Sequence, residues 1–217
     1  MSPDDAPPGG IEAAEPLVCI VDDDEGIRDA LGWLLRSRGL ASVSFPSAEA
    51  FLGFAQAPGP PAAGRPSCVL LDVRMAGISG IELFGRLCAP GPWAAVPVIF
   101  LTGHGDVPMA VEALKRGAFD FFEKPFSDNA LVDRVIAAIE LAELRRLEDR
   151  TQAARTDRLG ALTQREREVM DRILAGKLNK VIADELQISM RTVEVHRARL
   201  FAKMGVRSAV ELANLLR

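Results

Sequence analysis

The chain has 217 residues, 48% of them hydrophobic and 26% charged, which suits one large or two ordinary folded units. It holds no run of about 18 apolar residues, so no membrane-spanning helix is expected, and three cysteines without metal-ligand spacing exclude a disulfide framework or a zinc module. The net charge of −4 hides an asymmetry: Gly160 to Arg217 carries 11 Lys and Arg against 7 Asp and Glu, a net +4, and the remainder is −8. A cation-binding first part and a polyanion-binding second part fit that division.

Met1 to Glu15 is rich in Pro, Gly and acid and lacks a basic start before an apolar core; it reads as a disordered leader, not a secretory signal. Leu17-Val18-Cys19-Ile20-Val21 is a continuous apolar run that stops at Asp22-Asp23-Asp24, as expected of a strand buried on both faces of a parallel sheet. Ile27, Ala30, Leu31, Leu34 and Leu35 then share one helical stripe, stopped by Gly39. Ala41–Phe45 predicts a strand and Ser47–Ala55 a helix opened by a serine cap. Ala57–Pro66 reads as a long surface loop. The alternation resumes with strand Ser67–Leu71, helix Gly80–Cys88, strand Val96–Leu101, helix Val107–Arg116 with Pro108 in its first turn, and strand Phe119–Phe122. A long helix starts near Ser127. Ile136, Ile139, Leu141, Leu144 and Leu147 continue its spacing, and Glu140–Gly160 is expected to be a helical linker. The fold class is therefore α/β, a doubly wound five-stranded parallel sheet. Cys19, Cys68 and Cys88 are expected to be reduced, buried thiols of a cytosolic protein.

From Leu162 the periodicity is purely helical. Thr163 with Glu166 has capping-box spacing, and helices are predicted over Gln164–Ala175, Asn179–Leu186, Met190–Met204 and Ala209–Leu216. The short break between the second and third of these predicts a helix-turn-helix, whose second helix enters the major groove. Its core face is Ile182, Ala183, Leu186, Ile188, Val193, Leu200 and Met204. The other face carries Arg191, Thr192, Glu194, Val195, Arg199 and Lys203. Basic and hydroxyl groups suit phosphates, while Glu194 can accept from a cytosine amino group and Val195 can touch a thymine methyl.

Ligands of an open parallel sheet bind beyond the carboxyl ends of its strands. The predicted strands end there in Asp22-Asp23, Asp72 and Thr102, and the fifth leads to Lys124-Pro125. Three carboxylates together need a cation, and hard oxygen donors suit Mg2+. Asp72 beside a cation and Lys124 can act as a nucleophile toward phosphorus, with Thr102 donating to a phosphoryl oxygen.

Residues 16 to about 140 resemble the receiver domain of two-component response regulators, on Val21-Asp22-Asp23, Leu71-Asp72-Val73-Arg74-Met75, Leu101-Thr102-Gly103-His104-Gly105 and Glu123-Lys124-Pro125-Phe126. The resemblance implies a flavodoxin-like fold with Asp72 as phosphoacceptor. It implies Asp23 as a direct Mg2+ ligand, Asp22 acting largely through water, the Arg74 carbonyl completing the protein's share, and Thr102 with Phe121 as a switch pair. It also implies a cis Lys124–Pro125 bond. Ala76 departs from the family, which usually has proline there, and a looser loop is expected; His104 is read as packing or capping. The strings around Thr102 and Lys124 look FixJ-type.

Residues 162 to 216 resemble the LuxR/FixJ-type DNA-binding domain, on Leu162-Thr163-Gln164-Arg165-Glu166-Arg167-Glu168-Val169, Asn179-Lys180, Ile182-Ala183 and Thr192-Val193-Glu194-Val195-His196-Arg197. This implies phosphate or scaffold roles for Asn179 and His196, and a dimer-supporting last helix. Lys180 falls in the same motif and is taken as a DNA contact. The expected organisation is a leader 1–15, a receiver 16–139, a linker 140–160 and an all-α four-helix helix-turn-helix domain 161–217. The expected function is regulation of transcription, not enzymatic catalysis, in the cytoplasm. A sensor histidine kinase, double-stranded DNA, RNA polymerase and a second copy of the chain are the partners. A hydrolase on the same pocket lacks residues for a substrate cleft, and a phosphorylation-independent DNA binder is disfavoured by the intact pocket set.

Overall fold

The computed structural model describes residues 15–56, 65, 67–103 and 107–216. The expectations for the leader (Glu15 apart), for the Ala57–Pro66 loop (Arg65 apart) and for His104 lie outside the described residues. Two compact units divide at Leu147 and Glu148.

The first unit alternates β1 (Leu17–Val21), α1 (Glu25–Ser37), β2 (Ala41–Phe45), α2 (Ala48–Ala55), β3 (Ser67–Asp72), α3 (Gly80–Leu87), β4 (Val98–Thr102), α4 (Val107–Lys115) and β5 (Asp120–Glu123). The strands form one parallel sheet in the order β2-β1-β3-β4-β5. Side chains alternate across it with period two. Cys19, Val21, Val69, Leu71 and Phe100 face Phe51, Leu83 and Phe84 of α2 and α3. Val18, Ile20, Leu70, Ile99 and Leu101 face Leu31 and Leu35 of α1 together with Leu131, Val135 and Ile139. Because both faces are buried, β1, β3 and β4 have to be apolar throughout, and the polar residues are displaced to the strand ends.

α5 runs over Asp128–Gly160 as one helix of 33 residues, and the division between the units falls inside it. The segment 140–160 is shared between them: Ala142 is buried on the first unit, and Leu159 packs into the core of the second. Leu144 and Leu147 stay exposed. Among the described residues no helix is long and apolar enough to cross a membrane.

β4 begins at Val98 instead of Val96, because Pro97 has no N–H for the ladder while its carbonyl still accepts from Val69. Cys19 and Cys68 are buried as expected, and burial pushes the Cys19 thiol up to about 12 and Cys68 upward as well. Cys88 corrects the expectation: it caps the end of α3 and is exposed.

The second unit contains α6 (Gln164–Leu174), α7 (Asn179–Leu186), α8 (Met190–Met204) and α9 (Ala209–Leu216) around Val169, Ile173, Ile182, Val193, Leu200, Met204 and Leu212. Ser189 caps α8 at the amide of Thr192, and Gly205 ends it in the left-handed region at φ 68°. A left-handed Gln187 at φ 53° closes α7 before the turn.

Candidate functional site

Strand order changes direction between β1 and β3, and the carboxyl ends of these two strands carry the acids. Asp22 is 1% and Asp72 7% exposed. Lys124, delivered by the turn after β5, bridges them: Nζ donates to Asp22 Oδ2 at 2.8 Å and to Asp72 Oδ1 at 2.6 Å. The second oxygen of each is also engaged, Asp22 Oδ1 by the Asp24 amide at 2.9 Å and Asp72 Oδ2 by the Arg74 amide at 2.8 Å. Burial raises the Asp72 carboxyl above its ordinary value; Asp22 adds to this, against the pull of Lys124. Burial works against the Lys124 ammonium too, but its two ion pairs outweigh that and hold it high.

Asp23 is exposed at the mouth of the same pocket and accepts from the Ala76 amide at 3.3 Å. The pocket is lined by Asp22, Asp23, Asp24, Ile27, Asp72, Arg74, Gly103 and Lys124. Thr102 is fully buried at the end of β4, and its hydroxyl donates to the Gly103 carbonyl at 3.2 Å. Phe121 is half-buried against the core beneath α4. The Lys124–Pro125 bond is cis. Asp22, Asp23, Asp72, Arg74 and Lys124 thus line one pocket at the end of the sheet; Thr102 ends β4 at the same edge without lining it, and Phe121 lies within β5 opposite Phe100.

In the second unit, α8 presents Arg191, Glu194, Val195 and Arg199 to solvent, while Val193, Leu200 and Met204 hold its other side in the core. Thr192 is half-buried and its hydroxyl pairs with Ser189 Oγ at 2.8 Å. Lys180 is exposed and Asn179 half-buried at the start of α7, whose N-cap is Leu178 and whose first amides have no side-chain cap.

Residues 18–136 match the family described as response regulator receiver domain, and residues 160–216 that described as bacterial regulatory proteins, luxR family. The chain is a FixJ-type response regulator. This regulator is 48% identical over 198 residues to the C4-dicarboxylate transport transcriptional regulatory protein DctR of Rhodobacter capsulatus, covering 91% of this chain and 98% of that one. It is 46% identical over 203 residues to the transcriptional regulatory protein FixJ of Azorhizobium caulinodans, covering 91% and 90%. The solved structure of the response regulator StyR, 39% identical, superposes with a TM-score of 0.85 over 94% of this chain and 98% of that one.

Two of the expected DNA-contact residues have surroundings of their own within the unit. Lys203 is exposed and its Nζ donates to Glu166 Oε2 at 2.8 Å and to the Ala161 carbonyl at 3.0 Å, clamping the end of α8 to the start of α6. His196 is half-buried with Nδ1 enclosed and without a hydrogen-bond partner, which suits scaffold more than phosphate contact. Two features escaped sequence reading. Glu166 is 2% exposed and completes its capping box with Thr163 while holding Lys203. The capping-box spacing pointed to Glu166 but not to its cation. The Ala76–Asp23 contact gives the expected looser loop an anchor that a proline would not supply.

Proposed function

We propose that this transcriptional response regulator takes a phosphoryl group on Asp72 from a sensor histidine kinase, and that this changes its self-association and its binding to double-stranded DNA. The observation that carries the reading is the Lys124 bridge between two buried aspartates at the β1/β3 switch point. An Asp72 oxygen forms a P–O bond as the P–N bond of a phosphohistidine breaks, the electron pair leaving on the imidazole nitrogen, which is then protonated. Lys124 holds the acceptor in place, and Thr102 exchanges its Gly103 contact for a phosphoryl oxygen, with Phe121 following.

Asp23, Asp72 and the Arg74 carbonyl are the residues that would hold Mg2+, with Asp22 acting through water. Among the described residues no group of three acid, His or Cys side chains encloses a metal by itself. Mg2+ does not need one, since it keeps several waters and takes one or two carboxylates. The donor set fits: all hard oxygens, with three carboxylates near one ammonium. When bound, Mg2+ neutralises charge on the transferring oxygens.

An apolar groove of about 460 Å³ lined by Ile27, Trp33, Leu34 and Phe126 shares Ile27 and Lys124 with the Asp72 pocket. Trp33 is 70% exposed there. This supports a protein donor that covers the groove while its phosphohistidine reaches Asp72.

In this reading residues 16–139 form the receiver, 140–160 the link and 161–217 the DNA reader, acting in the cytoplasm with RNA polymerase as downstream partner. The exposed Leu144 and Leu147 of α5 support a dimer through the linker helix. Arg191, Arg199 and Lys180 bind phosphates, and the uncapped amides opening α7, beside Asn179, donate to another. Glu194 and Val195 read base edges.

Beryllium fluoride with Mg2+ is expected to increase the oligomer mass and tighten DNA binding of the wild type and to do neither for Asp72→Asn. An equal response of the variant overturns the assignment. Glu194→Ala is expected to alter the base preference recovered in a binding-site selection. An unchanged preference removes Glu194 from base reading.

A further inference from the structure

The loop between β3 and α3 contains Ala76 where the resembling family has proline, and that exchange restores one backbone N–H. The structure uses it. Alternate amides of the loop are each taken by an acceptor from outside their own turn or from the preceding strand. Arg74 N–H goes to Asp72 at 2.8 Å, Ala76 N–H to Asp23 at 3.3 Å and Ile78 N–H to Glu49 of α2 at 3.1 Å. Gly80 N–H closes the series on the Val73 carbonyl at 3.1 Å. Three carboxylates, from the end of β3, the β1–α1 turn and α2, hold one loop. Gly77, at φ 78°, permits the bend between the last two, and a Cβ there would lie 2.7 Å from Glu49 Oε1.

Asp23 differs from its neighbours. Asp22 and Asp72 are buried, and protein donors engage both oxygens of each, so their positions are set. Asp23 is exposed, and the Ala76 amide, 53 residues away in the chain, ties its Oδ2 to the pocket. An exposed aspartate otherwise samples several rotamers, and fixing one costs conformational entropy at the moment of binding. A carboxylate has about four lone-pair positions. One amide therefore leaves acceptor capacity for a cation.

We propose that the Ala76 N–H is a positioning group for the divalent-cation site, holding Asp23 ready at the pocket and tying cation binding to the position of the β3–α3 loop. The proposal rests on the Mg2+ reading of the pocket given above. Donors behind a metal-ligating carboxylate orient it, and their loss weakens metal affinity by about 10- to 100-fold.

The test is calorimetric titration of the full chain with Mg2+ alone, on wild type, Ala76→Pro and Ala76→Ser. Ala76→Pro deletes the donor, and Ala76→Ser keeps it. The dissociation constant is expected to rise about 10-fold in Ala76→Pro and to stay unchanged in Ala76→Ser. Equal or tighter binding by Ala76→Pro overturns the positioning role while leaving the pocket reading intact. Absence of Mg2+ binding by the wild type overturns both. If Ala76→Pro does not fold, amide hydrogen exchange decides. The Ala76 amide is expected to be protected in the wild type and to exchange about 10-fold faster in Asp23→Ala, a change of the size one net hydrogen bond supports; an unchanged rate overturns the proposal.

Discussion

Gly80→Ala is expected to lower the melting temperature of the first unit by about 10 °C, an estimate for about 3 kcal/mol of overpacking, and to abolish the response to beryllium fluoride. A Cβ on Gly80 would stand 2.0 Å from the Asp72 carbonyl oxygen, 3.0 Å from its carbonyl carbon and 3.2 Å from Leu71 Cγ. Two of these atoms are backbone of the central strand, which cannot turn aside as a side-chain end can. Gly80 cannot retreat either. It is buried as the first residue of α3, Ser79 caps the helix at Glu82, and its own N–H is bound to Val73. The strain therefore falls on Asp72, the residue whose carboxylate has to stay on Lys124. Gly32→Ala is the control: it lies inside α1 with nothing within 4 Å of its would-be Cβ, and helix propensity predicts a gain of about 1 kcal/mol. A melting temperature of Gly80→Ala equal to wild type would contradict the packing described here.

The second large effect is in the DNA-reading unit. Glu166→Ala is expected to destabilise it by about 2 kcal/mol, since it removes the cap of α6 and the partner of the half-exposed Lys203 ammonium. That corresponds to about 10 °C for a unit of this size. The Glu166 carboxylate accepts from Thr163 N–H at 2.8 Å and from Lys203 at 2.8 Å, and its own amide returns to Thr163 Oγ1 at 3.3 Å. The Lys203 ammonium, then the Thr163 amide, hold its carboxyl down at about 2 against an ordinary 4.5. A depressed carboxylate stabilises the fold above its unfolded-state value, and that contribution is lost as pH falls through the folded-state value. The wild type should therefore lose this part of its stability between about pH 4.5 and pH 2, and Glu166→Gln should lack that slope in acid-denaturation curves. Parallel curves for the two proteins would remove the ion pair from the stability of this unit. Weaker DNA binding by Lys203 variants is expected as well, in part through the placement of α8.

Local chemistry was readable without coordinates. The bounds of β1, β2, α7, α8 and α9 coincide with those expected because apolar period and capping residues act within a few positions: Ser189 opens α8, Gly205 closes it, and three aspartates stop β1. The pocket residues were legible for the related reason that a doubly covered sheet pushes polar side chains to strand ends. Partner choice was not legible. Lys124 meets Asp22 across 102 residues and Asp72 across 52, Lys203 meets Glu166 across 37, and Ala76 meets Asp23 across 53. Cys88, with apolar neighbours in sequence, turned outward because it stands one residue past the last turn of α3.

The sequence by itself determined which elements form, which residues end them, and the chemical types gathered at the sheet's carboxyl edge and on the recognition helix. Only the tertiary structure decided how those groups are spent. Lys203 holds Glu166, the Ala76 amide holds Asp23, and the space beside Asp72 admits no Cβ at position 80. The physical reason is range: capping and periodicity act within one or two turns, whereas ion pairs and steric limits depend on strand order and helix packing, which bring together atoms distant in the chain.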